Sequence, residues 1–341
     1  MAVRSIEVIA ERKQATARAL ITGGAGFIGS HLAEYLLDEG YSVNVLDDMS
    51  TGSVANLNGI GDADDMSVVN GDVSDGALVD ELVRESDVVF HLAASVGVRR
   101  IVDKPVESIA INIRGTEAVL ESAVRWRKRI IIASTSEVYG KSTKVPFNED
   151  DDLVLGPTKN IRWGYAASKA IDEYLTLAYV RDNGLQATIV RLFNTVGPRQ
   201  TSRYGMVIPT FVRQALNNDP ITVHGDGSQR RAFAHVADVV GAIHELSIRK
   251  DTVGEVFNVG NDFEISISDL ADLVKERTKS DSLIVTLPYE IAWDVGGFED
   301  IRRRVPDLSK IRNHIGYEPS WTIEEIVDDV IAHFKAQPGF S

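Results

Sequence analysis

The stretch ALITGGAGFIG, residues 19–29, constrains this chain more than any other. Ala19, Leu20 and Ile21 form a short apolar run suited to a buried strand. The run breaks into glycines at Gly23, Gly26 and Gly29 and continues as a helical pattern over 31–38. Glycine there permits a tight turn, a close backbone approach to a pyrophosphate, and close packing of helix on strand. The helix N-terminus then offers N–H groups and a partial positive charge to phosphate. A second apolar run over 42–46 ends at Asp47, near the roughly 20-residue spacing at which an acidic side chain meets the adenosine ribose hydroxyls. A carboxylate there repels a 2′-phosphate, so the pattern predicts a dinucleotide fold taking NAD rather than NADP.

The rest of the chain extends this start. Short β-type runs at 19–22, 43–47, 67–70, 88–93, 130–134 and 188–192 alternate with helix-like segments such as 106–125 and 165–182. Strands separated by helices imply an α/β fold, a doubly wound parallel sheet of Rossmann type covered on both faces. Beyond Leu192, turns rich in Gly, Pro and Asn become frequent, at 197–198, 217–220 and 225–227. A run over 255–259 is expected to rejoin the main sheet. A helix over 268–279, a strand over 283–287 and a last helix opening with the capping box Thr322 to Glu325 follow. The expected organisation is a flexible leader over 1–17 and an NAD-binding domain over 18–193 plus about 232–262. A smaller, discontinuous C-terminal substrate-binding lobe takes about 194–231 plus 263–341.

Charge and composition narrow the partners. With 50 acidic and 36 basic residues, net −14, the 341-residue chain is a poor match for nucleic acid or an anionic membrane, although converging arginines still allow an anionic small ligand. There is no cysteine, which removes disulfides, thiolate metal sites and cysteine nucleophiles together. The first 17 residues are charged throughout without an apolar core of signal-peptide length, and no run approaches a transmembrane span. A soluble cytoplasmic protein is expected.

Tyr165 and Lys169 stand four apart in a helical segment and share a face. A tyrosine of ordinary pKa near 10 is a poor base at neutral pH, but a neighbouring ammonium and a positive nicotinamide ring both favour its phenolate. Thr135, at the end of the 130–134 strand, can share a proton with the same substrate oxygen.

These residues carry a family resemblance. TGGAGFIG, LDD (46–48), GDV (71–73), HLAA (91–94), STSEVYG (134–140), YAASK (165–169) and RLFNTVGPR (191–199) occur in one order, followed by GDGSQRRAF (225–233) and RRRVPD (302–307). From about Ala19 to Phe334 the chain resembles an extended short-chain dehydrogenase/reductase of the nucleotide-sugar epimerase, dehydratase and decarboxylase group. The resemblance implies that Thr135, Tyr165 and Lys169 take the proton of a sugar C4 hydroxyl as hydride passes to NAD. It assigns Gly23, Gly26, Phe27, Ile28, Asp47, Asp72, Val73, Tyr165 and Lys169 to the cofactor. Asn194, Arg231 and Arg304 would bind the diphosphate or sugar of a UDP-sugar, guanidinium suiting phosphate through its bidentate fork. A homodimer through the helices at 106–125 and 165–182 is also implied.

The residues after Thr135 discriminate among reactions. Dehydratases of the group place Asp-Glu there, whereas this chain has Ser136-Glu137 and so lacks the acid for a hydroxide leaving group. Decarboxylation needs less, because a C4 ketone turns a hexuronic acid into a β-keto acid. The STSEVYG run resembles UDP-glucuronate decarboxylases, and GPTKNIRWGYAASK (156–169) resembles bacterial decarboxylases of lipid modification. The loop SVGVRRIVDKP (95–105), with Arg99, is instead closer to UDP-glucuronate 4-epimerases. An epimerase must hold the C6 carboxylate firmly, since ground-state pairing slows its loss. Decarboxylase is favoured, with 4-epimerase the alternative and a non-catalytic NAD-binding regulator the non-enzymatic one. Of the remaining candidates, His91 is expected to be a packed core histidine, and the acids at 149–152 a solvated loop rather than a metal site. Trp163 either lines the sugar pocket or packs beside the catalytic helix.

Overall fold

Apolar residues alternating along consecutive strands give one sheet two hydrophobic faces, and helices cover both. The computed structural model describes residues 17–61, 64–95, 103–201, 206–288 and 301–337; apart from Ala17, the expected leader lies outside them. The strands begin with β1 (Arg18–Thr22), β2 (Ser42–Asp47), β3 (Met66–Asn70), β4 (Val88–His91), β5 (Arg129–Thr135) and β6 (Gln186–Leu192). Shorter strands follow as β7 (Thr195–Val196), β8 (Ile221–His224), β9 (Arg230–Ala232) and β10 (Ala234–His235), before β11 (Val256–Val259). The main sheet has the order β3-β2-β1-β4-β5-β6-β11 and is parallel throughout. The run near 255–259 therefore does return to it, beside β6.

Helices α1 (Phe27–Asp38), α2 (Gly76–Glu85), α3 (Pro105–Arg125) and α4 (Trp163–Asn183) alternate with these strands. Leu20, Ile130, Ile132 and Ile189 point to one face and pack with Val79 and Val83 of α2 and Val119 and Leu120 of α3. Ala19, Ile21, Ile131 and Val190 point to the other, against Leu32 and Leu36 of α1. The period of two is that of a strand buried on both sides, and each such leucine or isoleucine stabilises the fold by roughly 1.5–3 kcal/mol. Helix α4 is unusual, since its buried residues include Ser168, Lys169, Asp172, Glu173 and Thr176.

After β6 come α5 (Val207–Leu216), α6 (Val236–Ile248) and α7 (Ile267–Thr278), then α8 (Ser309–Ile315) and α9 (Ile323–Lys335). Val239 and Ile243 of α6 and Ile311 of α8 join the core beside α1. A separate core gathers Phe211 and Val212 of α5, Leu270 and Val274 of α7, and Ile326, Val330 and Phe334 of α9. The capping box forms as expected, Thr322 Oγ1 accepting from Glu325 N and Glu325 from Thr322 N; such a cap contributes about 1 kcal/mol. Beside this core β12 (Glu264–Ser266) pairs antiparallel with β9, and β13 (Ile284–Leu287) pairs parallel with β8. Strand β14 (Arg303–Arg304) pairs parallel with β9 and sets Arg304 opposite Arg231. No helix among the described residues is long and apolar enough to cross a membrane.

Candidate active site

Strand order reverses between β1 and β4, and a cavity of about 880 Å³ opens beyond the carboxyl ends of the strands. Gly23 continues β1 with a φ of +73°, and a Cβ on it would lie 2.8 Å from Ala93 N. On Gly29 a Cβ would overlap the Gly23 carbonyl oxygen. The helix α1 starts at Gly26 without a side-chain cap, which leaves first-turn N–H groups for an anion. Asp47 is buried at the end of β2. Its carboxylate accepts from Ala25 N at 3.0 Å and Met49 N at 2.8 Å, tying β2 to the glycine turn, while burial pushes the carboxyl up against those bonds. Gly23, Gly26, Phe27, Ile28, Asp47, Asp72 and Val73 all line the cavity. The glycine cradle and uncapped helix fit the diphosphate of a dinucleotide, and the acid at β2 fits its ribose.

Deeper in, Thr135 ends β5 and caps the 3₁₀ turn Ser136–Tyr139, its Oγ1 accepting from Glu137 N at 3.2 Å. The Thr135 hydroxyl lies near the Tyr165 phenol, and Thr135, Ser136, Glu137, Tyr165 and Lys169 all line the cavity. The electrostatics differ from the sequence expectation. Burial pushes Tyr165 upward, the Glu137 charge pushes the same way, and the nearby Thr135 hydroxyl opposes them. Lys169 Nζ lies 2.8 Å from Asp172 Oδ2, a fully buried acid that the spacing of Tyr165 and Lys169 did not reveal.

Glu137 sits between two guanidinium groups. Arg304 Nη1 donates to its Oε1 at 2.7 Å, and Arg162 Nη2 lies 3.2 Å from its Oε2. Arg162 also stacks over the Trp163 ring at 5.1 Å. Arg162, within the 156–169 run that resembles bacterial decarboxylases, carried no assigned role; the available signal was a cation three residues before Tyr165. Arg231 is buried, its Nη1 donating to the carbonyls of Arg230 at 2.8 Å and Arg302 at 3.3 Å, and Asn194 Nδ2 donates to Ala232 O at 2.9 Å. Asn194, Arg231 and Arg304 all reach the cavity, with Gln200 and Thr210, whose Oε1 and Oγ1 are buried without a protein hydrogen-bond partner. Such atoms suit a polar ligand. Arg99 lies outside the described residues.

The other candidates fall out by packing. His91 is a core histidine, its ring held between Thr22 Oγ1 at 2.8 Å and Thr116 Oγ1 at 3.1 Å, and burial lowers its pKa to about 3. Trp163 packs with Val138, Tyr139 and Phe147. The acids at 149–152 are only partly a solvated loop: Glu149 is buried and accepts from Asn258 N at 2.8 Å, and Asp151 pairs with Lys144. The short loop brings Glu149 to the end of the sheet, where β11 needs an acceptor. Among the described residues no group of three or more His, Asp or Glu side chains is placed to hold a metal.

Comparison with known proteins converges on the same chemistry. Over 322 residues the chain is 42% identical to a UDP-N-acetyl-alpha-D-glucosaminuronate decarboxylase of Bacillus cytotoxicus, covering 93% of this chain and 98% of that one. It is 34% identical to UDP-glucuronic acid decarboxylase 1 of Danio rerio, covering 94% of this chain and 73% of the relative. The dTDP-glucose 4,6-dehydratase DesIV of Streptomyces venezuelae, solved with NAD bound, superposes with a TM-score of 0.85 at 28% identity, covering 95% of this chain and 98% of its own. Residues 20–330 match the family described as GDP-mannose 4,6 dehydratase. With the glycine turn on β1, the Thr-Tyr-Lys group beside it and that match along most of its length, the chain belongs to the GDP-mannose 4,6-dehydratase family of short-chain dehydrogenase/reductases.

Proposed function

We propose that this protein is an NAD-dependent UDP-hexuronate decarboxylase acting through a 4-keto sugar. The observation that carries the choice is the pairing of Glu137 with both Arg304 and Arg162. An enzyme that keeps a C6 carboxylate through a β-keto acid stage needs an uncommitted cation on it. Here two guanidiniums already share one protein carboxylate, so a C6 carboxylate meets one net positive charge instead of two and pairs only weakly with it. Weak pairing in the ground state leaves the barrier to carbon dioxide loss low, because the charge departs the carboxylate in the transition state.

Tyr165 accepts the C4 hydroxyl proton, and Thr135, near the phenol, shares it with the substrate oxygen. NAD, when bound, supplies the hydride acceptor at C4 and returns the hydride at the end. Lys169 holds the nicotinamide ribose. Gly23, Gly26, Phe27 and Ile28 cradle the diphosphate, Asp47 takes the adenosine ribose, and Asp72 and Val73 flank the adenine end. Ser136 hydrogen-bonds the sugar, Asn194 and Arg231 bind the UDP diphosphate, and Glu137 holds Arg162 and Arg304 while a proton from water takes the place of carbon dioxide at C5. NAD and UDP-sugars as substrates fit a cytoplasmic enzyme.

The test is incubation with NAD and either UDP-glucuronate or UDP-N-acetylglucosaminuronate, with products identified by mass and trapped carbon dioxide. A decarboxylated UDP-sugar is expected. An unchanged mass with inverted C4 means an epimerase, and NAD binding without turnover means a regulator; either overturns the proposal.

A further inference from the structure

A helix N-terminus carries partial positive charge, so acids and capping hydroxyls suit it and a cation does not. Helix α4 starts the other way. The residue that flanks its first turn is Arg162, with no side-chain cap and no acid in that turn. Arg162 is only 6% exposed and stacks over the Trp163 ring, so its charge stays inside the protein. The balancing carboxylate comes from the turn after β5: Glu137 Oε2 lies 3.2 Å from Arg162 Nη2, and Glu137 Oε1 accepts from Arg304 Nη1 at 2.7 Å. Arg304 lines the cavity, and its Nε is buried without a hydrogen-bond partner among the described residues. Of the other cations lining the cavity, Lys169 is matched by Asp172 at 2.8 Å and Arg199 by Glu34 at 2.6 Å, while Arg231 is given to the diphosphate above. Two guanidiniums and one carboxylate leave the Glu137 trio with one positive charge.

We propose that Arg162 is a positioning residue that sets selection for a C6 carboxylate: by taking a share of Glu137 it leaves Arg304 a charge to offer the substrate. The inference rests on the UDP-hexuronate site proposed above. A carboxylate held by one guanidinium cancels it, whereas a carboxylate shared between two leaves each partly unbalanced. Without Arg162, Glu137 and Arg304 close into a neutral pair, and a C6 carboxylate meets Glu137 as a like charge. A neutral C6 hydroxymethyl group loses nothing by that change. Arg304 makes the contact, and Arg162 acts through Glu137.

Dissociation constants for UDP-glucuronate and UDP-glucose are compared by calorimetry on the NADH-loaded enzyme, which cannot oxidise either sugar. The wild type is expected to bind UDP-glucuronate about tenfold or more tightly, the scale of one hydrogen bond to a charged group. In Arg162→Gln that preference should fall by a similar factor while UDP-glucose stays within about threefold of wild type. Arg162→Lys, which keeps the charge, should retain the preference. In the double variant Glu137→Gln/Arg162→Gln the site again carries one positive charge, on Arg304, and the preference should return. Equal weakening of both sugars in Arg162→Gln means a packing role and overturns the inference. No recovery in the double variant also overturns it, because Arg162 would then touch the carboxylate itself. So does a wild type that binds both sugars equally, a comparison that needs no variant to fold. A wild type that prefers the charged sugar yet releases no carbon dioxide with NAD would instead refute the proposed function, and the variants would still judge Arg162.

Discussion

Replacing Glu137 by Gln keeps the shape of the side chain and removes the charge that two arginines share. Its Oε1 lies 2.7 Å from Arg304 Nη1 and its Oε2 3.2 Å from Arg162 Nη2, with the Arg162 side chain 5% and the Arg304 side chain 15% exposed. In the variant both guanidiniums face the cavity with a neutral amide between them. A substrate C6 carboxylate then becomes their best partner, and a hydrogen bond to a charged group contributes about 1.5–3 kcal/mol. That gain corresponds to roughly 10- to 150-fold tighter ground-state binding. Because the charge leaves the carboxylate as carbon dioxide departs, about the same energy is added to the barrier, so decarboxylation slows by a comparable factor. The longer-lived 4-keto hexuronate then returns to substrate or its 4-epimer on re-reduction. Carboxyl-labelled UDP-glucuronate reports carbon dioxide release, and mass and stereochemistry of the pool report the rest. Melting and NAD binding establish that the variant is folded. Carbon dioxide release within about threefold of wild type, at unchanged KM, would refute the reasoning.

Tyr165→Phe removes a proton acceptor and little contact area, so turnover should fall at least about 10²-fold while NAD affinity holds, read by product formation and cofactor titration. Asp47→Ala removes the acceptor for Ala25 N and Met49 N and, on the proposed function, the contact to the adenosine ribose; NAD should bind roughly tenfold or more weakly, with discrimination against NADP relaxed, measured by calorimetry with both cofactors. His91 has its pKa lowered from 6.5 to about 3 in the folded protein, so the unfolded chain takes up the proton first as pH falls. Stability should therefore decline below pH ~6.5 by up to about 1.4 kcal/mol per pH unit from this group, and urea midpoints at pH 7 and 5 should converge in His91→Gln. A homodimer through α3 and α4 is proposed from the exposed Ile171 and Tyr174, 47% and 69% accessible; Tyr174→Glu should yield monomer in sedimentation where the wild type sediments as a dimer.

The parallel sheet, the glycine turn and the Thr-Tyr-Lys group were all legible because each is local. Strands with apolar residues on both faces, glycines where a Cβ would meet the Ala93 backbone or the Gly23 carbonyl, and a four-residue helical spacing are written into short windows of chain. The polar side of α4 was not legible. Asp172 and Glu173, to which the sequence pattern gave no place, are buried, while their apolar neighbours Ile171 and Tyr174 are exposed. Arg191, the partner of Glu173, belongs to β6, whereas Asp172 pairs with Lys169 one turn back on α4. The same holds for Glu149, which reaches Asn258 N more than a hundred residues away.

The order of strands and helices, and the class of cofactor cavity at their ends, followed from the sequence, since periodicity and turn chemistry act between near neighbours. Tertiary structure decided which charges cancel. Arg304 arrives on β14 beside β9, Arg162 at the start of α4, and both meet a carboxylate from the turn after β5. Coulomb energy depends on distance and burial, and for residues 25 and 167 positions apart in the chain only the folded arrangement sets either one.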